Sequence, residues 1–182
     1  MSHYGGKEFG AAFRTVRKNT IQIAEDIPED KYTFKPAPEA RTVAQTLTHM
    51  AISTEFAHSI HGKGVTDVTK VDFAALGGKM AAEEAKPRSK AEIVTLLKSE
   101  GERFASFLDG LSDAFLFEEV ALPPGAQPAS KTRFEMLLGA KEHEMHHRAQ
   151  LMTIERMIGV VPHLTRQRQE QQAARAAAAK KQ

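Results

Sequence analysis

The sequence contains no cysteine. That removes disulfide frameworks, thiolate zinc sites and cysteine nucleophiles from consideration, and it leaves the redox compartment undecided. Any metal must therefore be held by His, Asp or Glu. No apolar run approaches the ~20 residues that a membrane span requires, and the opening MSHYGGKEFG lacks the charged-then-apolar order of a signal peptide. A soluble, cytoplasmic protein without a membrane partner is expected. There is no G-x-S-x-G elbow and no phosphate-cradling glycine loop, so serine-histidine-acid catalysis and nucleotide binding through such a loop have no support.

Tryptophan is absent and tyrosine occurs twice, which leaves few platforms on which bases could stack. The formal charge of +2 is also unevenly placed. Residues 163–182 hold Arg166, Arg168, Arg175, Lys180 and Lys181 against Glu170, so the remainder is near −2. A basic end on a near-neutral body reads as a solvated tail rather than a DNA arm, and no nucleic-acid partner is expected. With 182 residues the chain can bury a core as one domain. Residues 1–162 are expected to form it, with 163–182 as a basic, alanine-rich tail.

What is present favours helices. Phe9, Phe13, Val16, Thr20, Ile23 and Ile27 recur at three- and four-residue steps, predicting a first helix from Lys7 to Ile27 that ends before Pro28. The connector PEDKYTFKPAPEA cannot continue that helix, and its Tyr32 and Phe34 are expected to anchor it. A second helix should start after Thr42 as N-cap and reach His61 before GKG. Residues 62–87 show weak patterning, at most a short helix, and read as a weakly structured insert. The S-K-A-E box opening at Ser89 predicts a third helix to about Gly110. After the Pro/Gly-punctuated loop EEVALPPGAQPASKT, the fourth runs from about Lys131 to Ile158. The fold class is thus all-α, a bundle of four helices.

The stretch GAKEHEMHHRAQL, residues 139–151, carries three histidines. At about 100° per residue, His143 falls about 40° from His147, within the same apolar arc as Ala140, Leu151, Ile154 and Ile158. His146 lies about 100° off that arc and is expected to flank the site, as a hydrogen-bond partner or a solvated group. On the second helix His49 shares an arc with Ser53, Phe56 and Ile60, whereas His58 and His61 point elsewhere. Two imidazoles one turn apart can chelate one cation. Three inward imidazoles among apolar neighbours need partners, and one divalent cation satisfies all three, so a metal reading of His49, His143 and His147 outweighs that of three separately satisfied core residues. Glu144 lies about 60° from His147, which leaves it as a supporting carboxylate, a general base or a surface charge. A second stripe, Leu138, Met145, Ala149 and Met152, predicts burial of the other face against a helix or a second subunit.

FKPAPEARTVAQTLTHM and LLGAKEHEMHHRAQL closely resemble the two signature regions of the DinB/YfiT-like superfamily of metal-binding four-helix bundles. The likeness covers about residues 7–160. It combines a Pro-rich turn, a histidine early in helix two and H-x-x-x-H-R-x-Q in the last helix, in the right order. It implies His49, His143 and His147 as ligands of one divalent metal, commonly zinc or nickel, with positions left for water or substrate. It also implies an unusual helix order and frequent homodimers. Ala149 stands where the family motif usually has glycine, on the face away from the metal.

Similar proteins include thiol S-transferases using bacillithiol, mycothiol or glutathione, a maleylpyruvate isomerase, and metal-dependent hydrolases. The resemblance implies an enzyme that activates a low-molecular-weight thiol for S-transfer to an electrophilic small molecule; beside the histidines, this sequence offers Glu144 and His146 as candidate proton carriers. The alternatives are a hydrolase with a hydroxide nucleophile generated at the metal, or a non-catalytic stress-response module. Imidazole ligands do not select one metal.

Overall fold

Phe9, Phe13, Val16, Ile23 and Ala24 are all buried along one face of helix α1, Gly6–Asp26, the first element of the computed structural model. The structure describes residues 4–179, and Lys180 and Lys181 of the tail lie outside the described residues. Beyond α1 the connector is tied down as expected. The Tyr32 hydroxyl donates to the carbonyl of Ala24 at 2.7 Å, and Phe34 packs on the core.

Helix α2, Val43–Ile52, begins with a reciprocal cap: Thr42 Oγ1 accepts from the amide of Gln45, and the Gln45 side chain accepts from the amide of Thr42. The helical path continues through α3, Thr54–Ala57, and a π turn, His58–Gly62. The wider π turn shifts the facing of its own residues, so His61 becomes buried rather than lateral. Residues 62–87, read from the sequence as weakly structured, hold helix α4, Phe73–Glu84, capped by Asp72. Met80 is its buried residue, so it offered almost no periodicity to read.

Ser89 and Glu92 form the expected capping box at the start of α5, Lys90–Asp109. A short helix α6, Asp113–Leu116, comes next. The loop between the last two long helices contains a small antiparallel pair, β1 Glu119–Ala121 and β2 Ser130–Thr132, with Val120 opposite Lys131. Fully buried Val120 joins Ile60 and Val68 in a small side cluster. Thr132 caps α7, Arg133–Met157, and Gly159 with φ 83° stands just past its end. The tail forms α8, His163–Ala179.

The four long segments, α1, α2 with its continuation, α5 and α7, make the bundle. Two apolar clusters fill it: Ile23, Leu47, Met50, Leu97, Leu151 and Ile154 in one, Phe9, Phe13, Phe104, Leu108 and Leu137 in the other. Between these groups along α1 and α7 stand Arg17 and Glu144, 3 % and 1 % exposed and bound to each other. A Cβ on Gly101 would come within 2.6 Å of Arg17 Cγ, so the guanidinium is seated against α5 only because that position is glycine. On α7, Leu138 and Met152 pack on the clusters, whereas Met145 and Ala149 are exposed. Among the described residues no helix is long and apolar enough to cross a membrane.

Candidate metal centre

Helix α2 presents His49, and α7 presents His143 and His147 one turn apart, to the same point. His49 Nε2 is 3.0 Å from His143 Nε2, and His147 Nε2 is 3.2 Å from the same atom. The ligand atoms of all three rings lie within 4.8 Å of one another. All three rings are at least half-buried. The inward arcs read from helix geometry therefore converge in space.

The outer nitrogens define the chemistry of the inner ones. His49 Nδ1 donates to Glu84 Oε2 at 3.2 Å, and His147 Nδ1 donates to Gln150 Oε1 at 2.8 Å. With the proton on Nδ1, each Nε2 carries a lone pair directed at the cluster. A neutral His143 can donate to one of these neighbours at most, so lone pairs face each other unless a cation sits between them. The donor set fits a divalent metal bound by imidazoles, whose other ring nitrogens are commonly held by carboxylate or amide partners. Burial, reinforced by His147 and His49, pushes the His143 pKa down to about 4. Burial also lowers that of His49, with Arg41 adding to it, and that of His147. All three rings are neutral near pH 7, the form a metal needs.

Two of these partners escaped the sequence reading. Gln150 was visible as the last letter of H-x-x-x-H-R-x-Q, and its place three residues beyond His147 on the same helix was the available signal. Glu84 comes from α4, in the segment read as an insert, and also accepts from Arg41 Nε at 2.5 Å; nothing in its local pattern pointed to the site. His146 is exposed, as its angle indicated, and accepts from Gln150 Nε2 at 3.0 Å. It is thus joined to His147 through one side chain. Glu144 points into the core instead of standing at the site's edge. Its oxygens accept from Arg17 Nε and Nη2, each at 2.8 Å, while Arg17 also donates to the carbonyls of Leu97 and Met50. Of the other rings, His58 packs against Phe104 and Phe107, and His61 lies by Arg133.

The family model for the DinB superfamily matches residues 12–151, which include all three histidines. The chain belongs to the DinB superfamily. It is 25 % identical to YjoA of Bacillus subtilis over 148 residues, 81 % of this chain and 86 % of that protein. The crystal structure of YjoA, a DinB-like protein, superposes with a TM-score of 0.62 at 22 % identity, covering 84 % of this chain and 92 % of that one. YfiT of Bacillus subtilis, described as "a probable metal-dependent hydrolase with an unusual four-helix bundle topology", gives a TM-score of 0.66 at 16 % identity, covering 88 % and 91 %. These likenesses establish the four-helix-bundle fold.

In this DinB-superfamily member two cavities are lined by rings of the triad. The larger, about 860 Å³, is lined by His147 and Gln150 together with Lys35, Arg41, Gln45 and Glu84. The smaller, about 310 Å³, is bounded by His49 and His143. The histidines therefore form part of the wall of a chamber of mixed polarity on one hand and of a largely apolar one on the other.

Proposed function

We propose that this DinB-superfamily chain is a divalent-metal-dependent enzyme acting on small electrophilic molecules, with His49, His143 and His147 holding the metal, zinc or nickel, through Nε2. The observation that carries this is the convergence of three ring nitrogens, the opposite nitrogens of His49 and His147 being already committed to Glu84 and Gln150. A bound divalent cation would lower the pKa of a water or thiol and polarise a substrate oxygen.

The chain's own groups supply the rest. Glu84 and Gln150 fix two tautomers and ring orientations, so the ligand geometry is set before any substrate arrives. Lys35 gives the larger chamber a cationic group for a charged reactant, Arg41 on the same wall being paired with Glu84. His146, solvent-exposed and hydrogen-bonded to Gln150, is the candidate proton carrier at the edge of the site. Glu144 is unsuited to that task, because both of its oxygens serve Arg17.

Water as nucleophile makes the protein a hydrolase, the reading supported by the description of the structural relative YfiT. Thiol S-transfer, with a low-molecular-weight thiol as co-substrate, is favoured by a separate observation. Two chambers lined by one triad suit two reactants, whereas hydrolysis needs one beside water. A homodimer through the exposed Met145 and Ala149 strip belongs to the same reading; a monomer by light scattering at micromolar concentration excludes it.

The deciding measurement is metal analysis of the wild type beside His49→Ala and His147→Ala. About one metal per chain is expected in the wild type, and much less in either variant; unchanged stoichiometry in both overturns the assignment. Metal-loaded protein is then assayed on ester, amide and lactone panels, with and without added thiol. Turnover without thiol, abolished by chelation, identifies the hydrolase. Conjugation only with thiol identifies the transferase. No turnover in either arm, with chelation lowering the melting temperature, identifies a non-catalytic stress-response module.

A further inference from the structure

Gly139 occupies the interior of the 25-residue helix α7, where glycine is the least favourable residue after proline. Packing does not require it. A Cβ there meets nothing within 4 Å, whereas one on Gly6 would come within 2.5 Å of the Leu108 carbonyl oxygen. Nor does conformation, since Gly139 is not among the glycines of positive φ. What lies beside it is the smaller cavity.

Position 139 is one turn before His143, so a side chain there would share the face on which His143 meets His49. The cavity walls are Phe56, Ala57 and Ile60 from the second long segment and Met136 and Ala140 from α7. Of the polar side chains of this wall, Ser53 Oγ donates to the Met50 carbonyl and His61 Nδ1 accepts from Arg133 Nη1, and the wall is mostly apolar. Phe56, stacked on Phe73 of α4 with ring centroids 6.4 Å apart, is partly exposed. The chamber therefore offers apolar surface closed at one end by His49 and His143, at the small end of the volumes that hold organic ligands.

We propose that this cavity is the subsite for an apolar group of the substrate, a short aliphatic chain or one aromatic ring, carried on an electrophile whose polar end reaches the histidines, and that the exposed Gly139 keeps its mouth open. The role of the histidines rests on the metal-dependent reading; the cavity's affinity for apolar groups does not. An amphipathic small molecule is thus the substrate class, its apolar part here and its polar part toward Lys35 in the larger chamber.

The test titrates straight-chain primary alcohols, ethanol to octanol, into the full chain with and without bound metal, followed by heteronuclear NMR. Affinity is expected to rise about fourfold per methylene until the chamber is filled, with shifts at Ile60, Met136 and Ala140. Gly139→Leu, which improves helix propensity and so keeps the fold, should weaken the longest alcohols at least tenfold, and Gly139→Ala by less. Affinity independent of chain length, shifts confined to other sites, or an unchanged series in Gly139→Leu would each overturn the proposal. The two readings fail separately. An intact alcohol series in a chain that binds no metal removes the metal centre and leaves the subsite, and a flat series in a chain with one metal does the reverse.

Discussion

Replacing Glu144 by Gln would leave the Arg17 guanidinium buried with two backbone carbonyls and no counter-charge. Removing one partner of such a pair costs about 3–5 kcal/mol, chiefly because the remaining charge cannot be resolvated. Urea unfolding of Glu144→Gln should therefore show a midpoint well below wild type, with metal stoichiometry intact; an unchanged midpoint contradicts the structural role. Glu84 predicts the opposite pattern. It touches the site through His49 Nδ1 and sits on a mostly exposed helix. Glu84→Ala should weaken metal binding roughly ten- to hundredfold, as loss of such partners generally does, with little effect on the unfolding midpoint of the metal-free chain. Glu84→Gln keeps an acceptor and should lose less. Competition against a chelating indicator measures both, and an unchanged affinity in Glu84→Ala would mean that His49 is oriented by packing alone. The contrast explains what the sequence revealed at this scale. His49, His143 and His147 could be found because each lies on a regular helix whose apolar arc fixes its direction. The role of Glu144 could not, because its partner is 127 residues away and a carboxylate 60° from the histidines has the same local pattern whether it faces an ion or an arginine.

At the scale of elements, the long helices were legible since caps and stripes agree: Thr42 before α2, Ser89 with Glu92, Pro28 after α1, Gly159 after α7. Helix α4 and the β1–β2 pair were not. The first buries Met80 alone along its length, and the second has three residues per strand, too few for alternation to be distinguished from loop composition. The junction of α7 with α8 holds a further consequence. Glu155, near the end of α7, is fully buried, and neither carboxylate oxygen has a hydrogen-bond partner among the described residues. Burial, with Asp26 adding to it, raises its pKa from 4.5 to about 7. A group whose folded pKa is raised binds protons more tightly in the native state. Its stabilising effect is complete below about pH 4.5 and is lost as pH rises to about 7, a change on the order of 3 kcal/mol. Glu155→Gln should remove that slope, so the difference in unfolding free energy between variant and wild type should grow from pH 4.5 to 7 and level off above. Parallel stability–pH curves for the two proteins would show that Glu155 finds a partner in solution. The first turn of α8 sits close by, with His163 Nε2 facing Asn19 Oδ1 and Arg166 bound to Asp26, so the slope also reports how firmly this junction excludes water.

For the whole molecule, the metal would act as a cross-link between two of the four long segments. His49 belongs to α2 and the H-x-x-x-H pair to α7, while Glu84 ties α4 to the same ring and to Arg41 in the connector before α2. None of these links survives unfolding, since His49 and His143 lie 94 residues apart in sequence. A ligand that binds only the folded chain adds RT ln(1 + [M]/Kd), about 2.7 kcal/mol at a hundredfold excess over Kd, which for a chain of this size corresponds to roughly 5–10 °C in melting temperature. Zinc or nickel should raise the wild-type melting temperature by that order, continuously with the logarithm of free metal, and chelation should reverse it. In His49→Ala the α7 pair remains, but the link to α2 is gone, so the curve should be nearly flat over the same range. Equal slopes in the two proteins would place the stabilising metal on α7 alone or elsewhere on the chain, and would separate a surface chelate from a centre that joins the helices of the bundle.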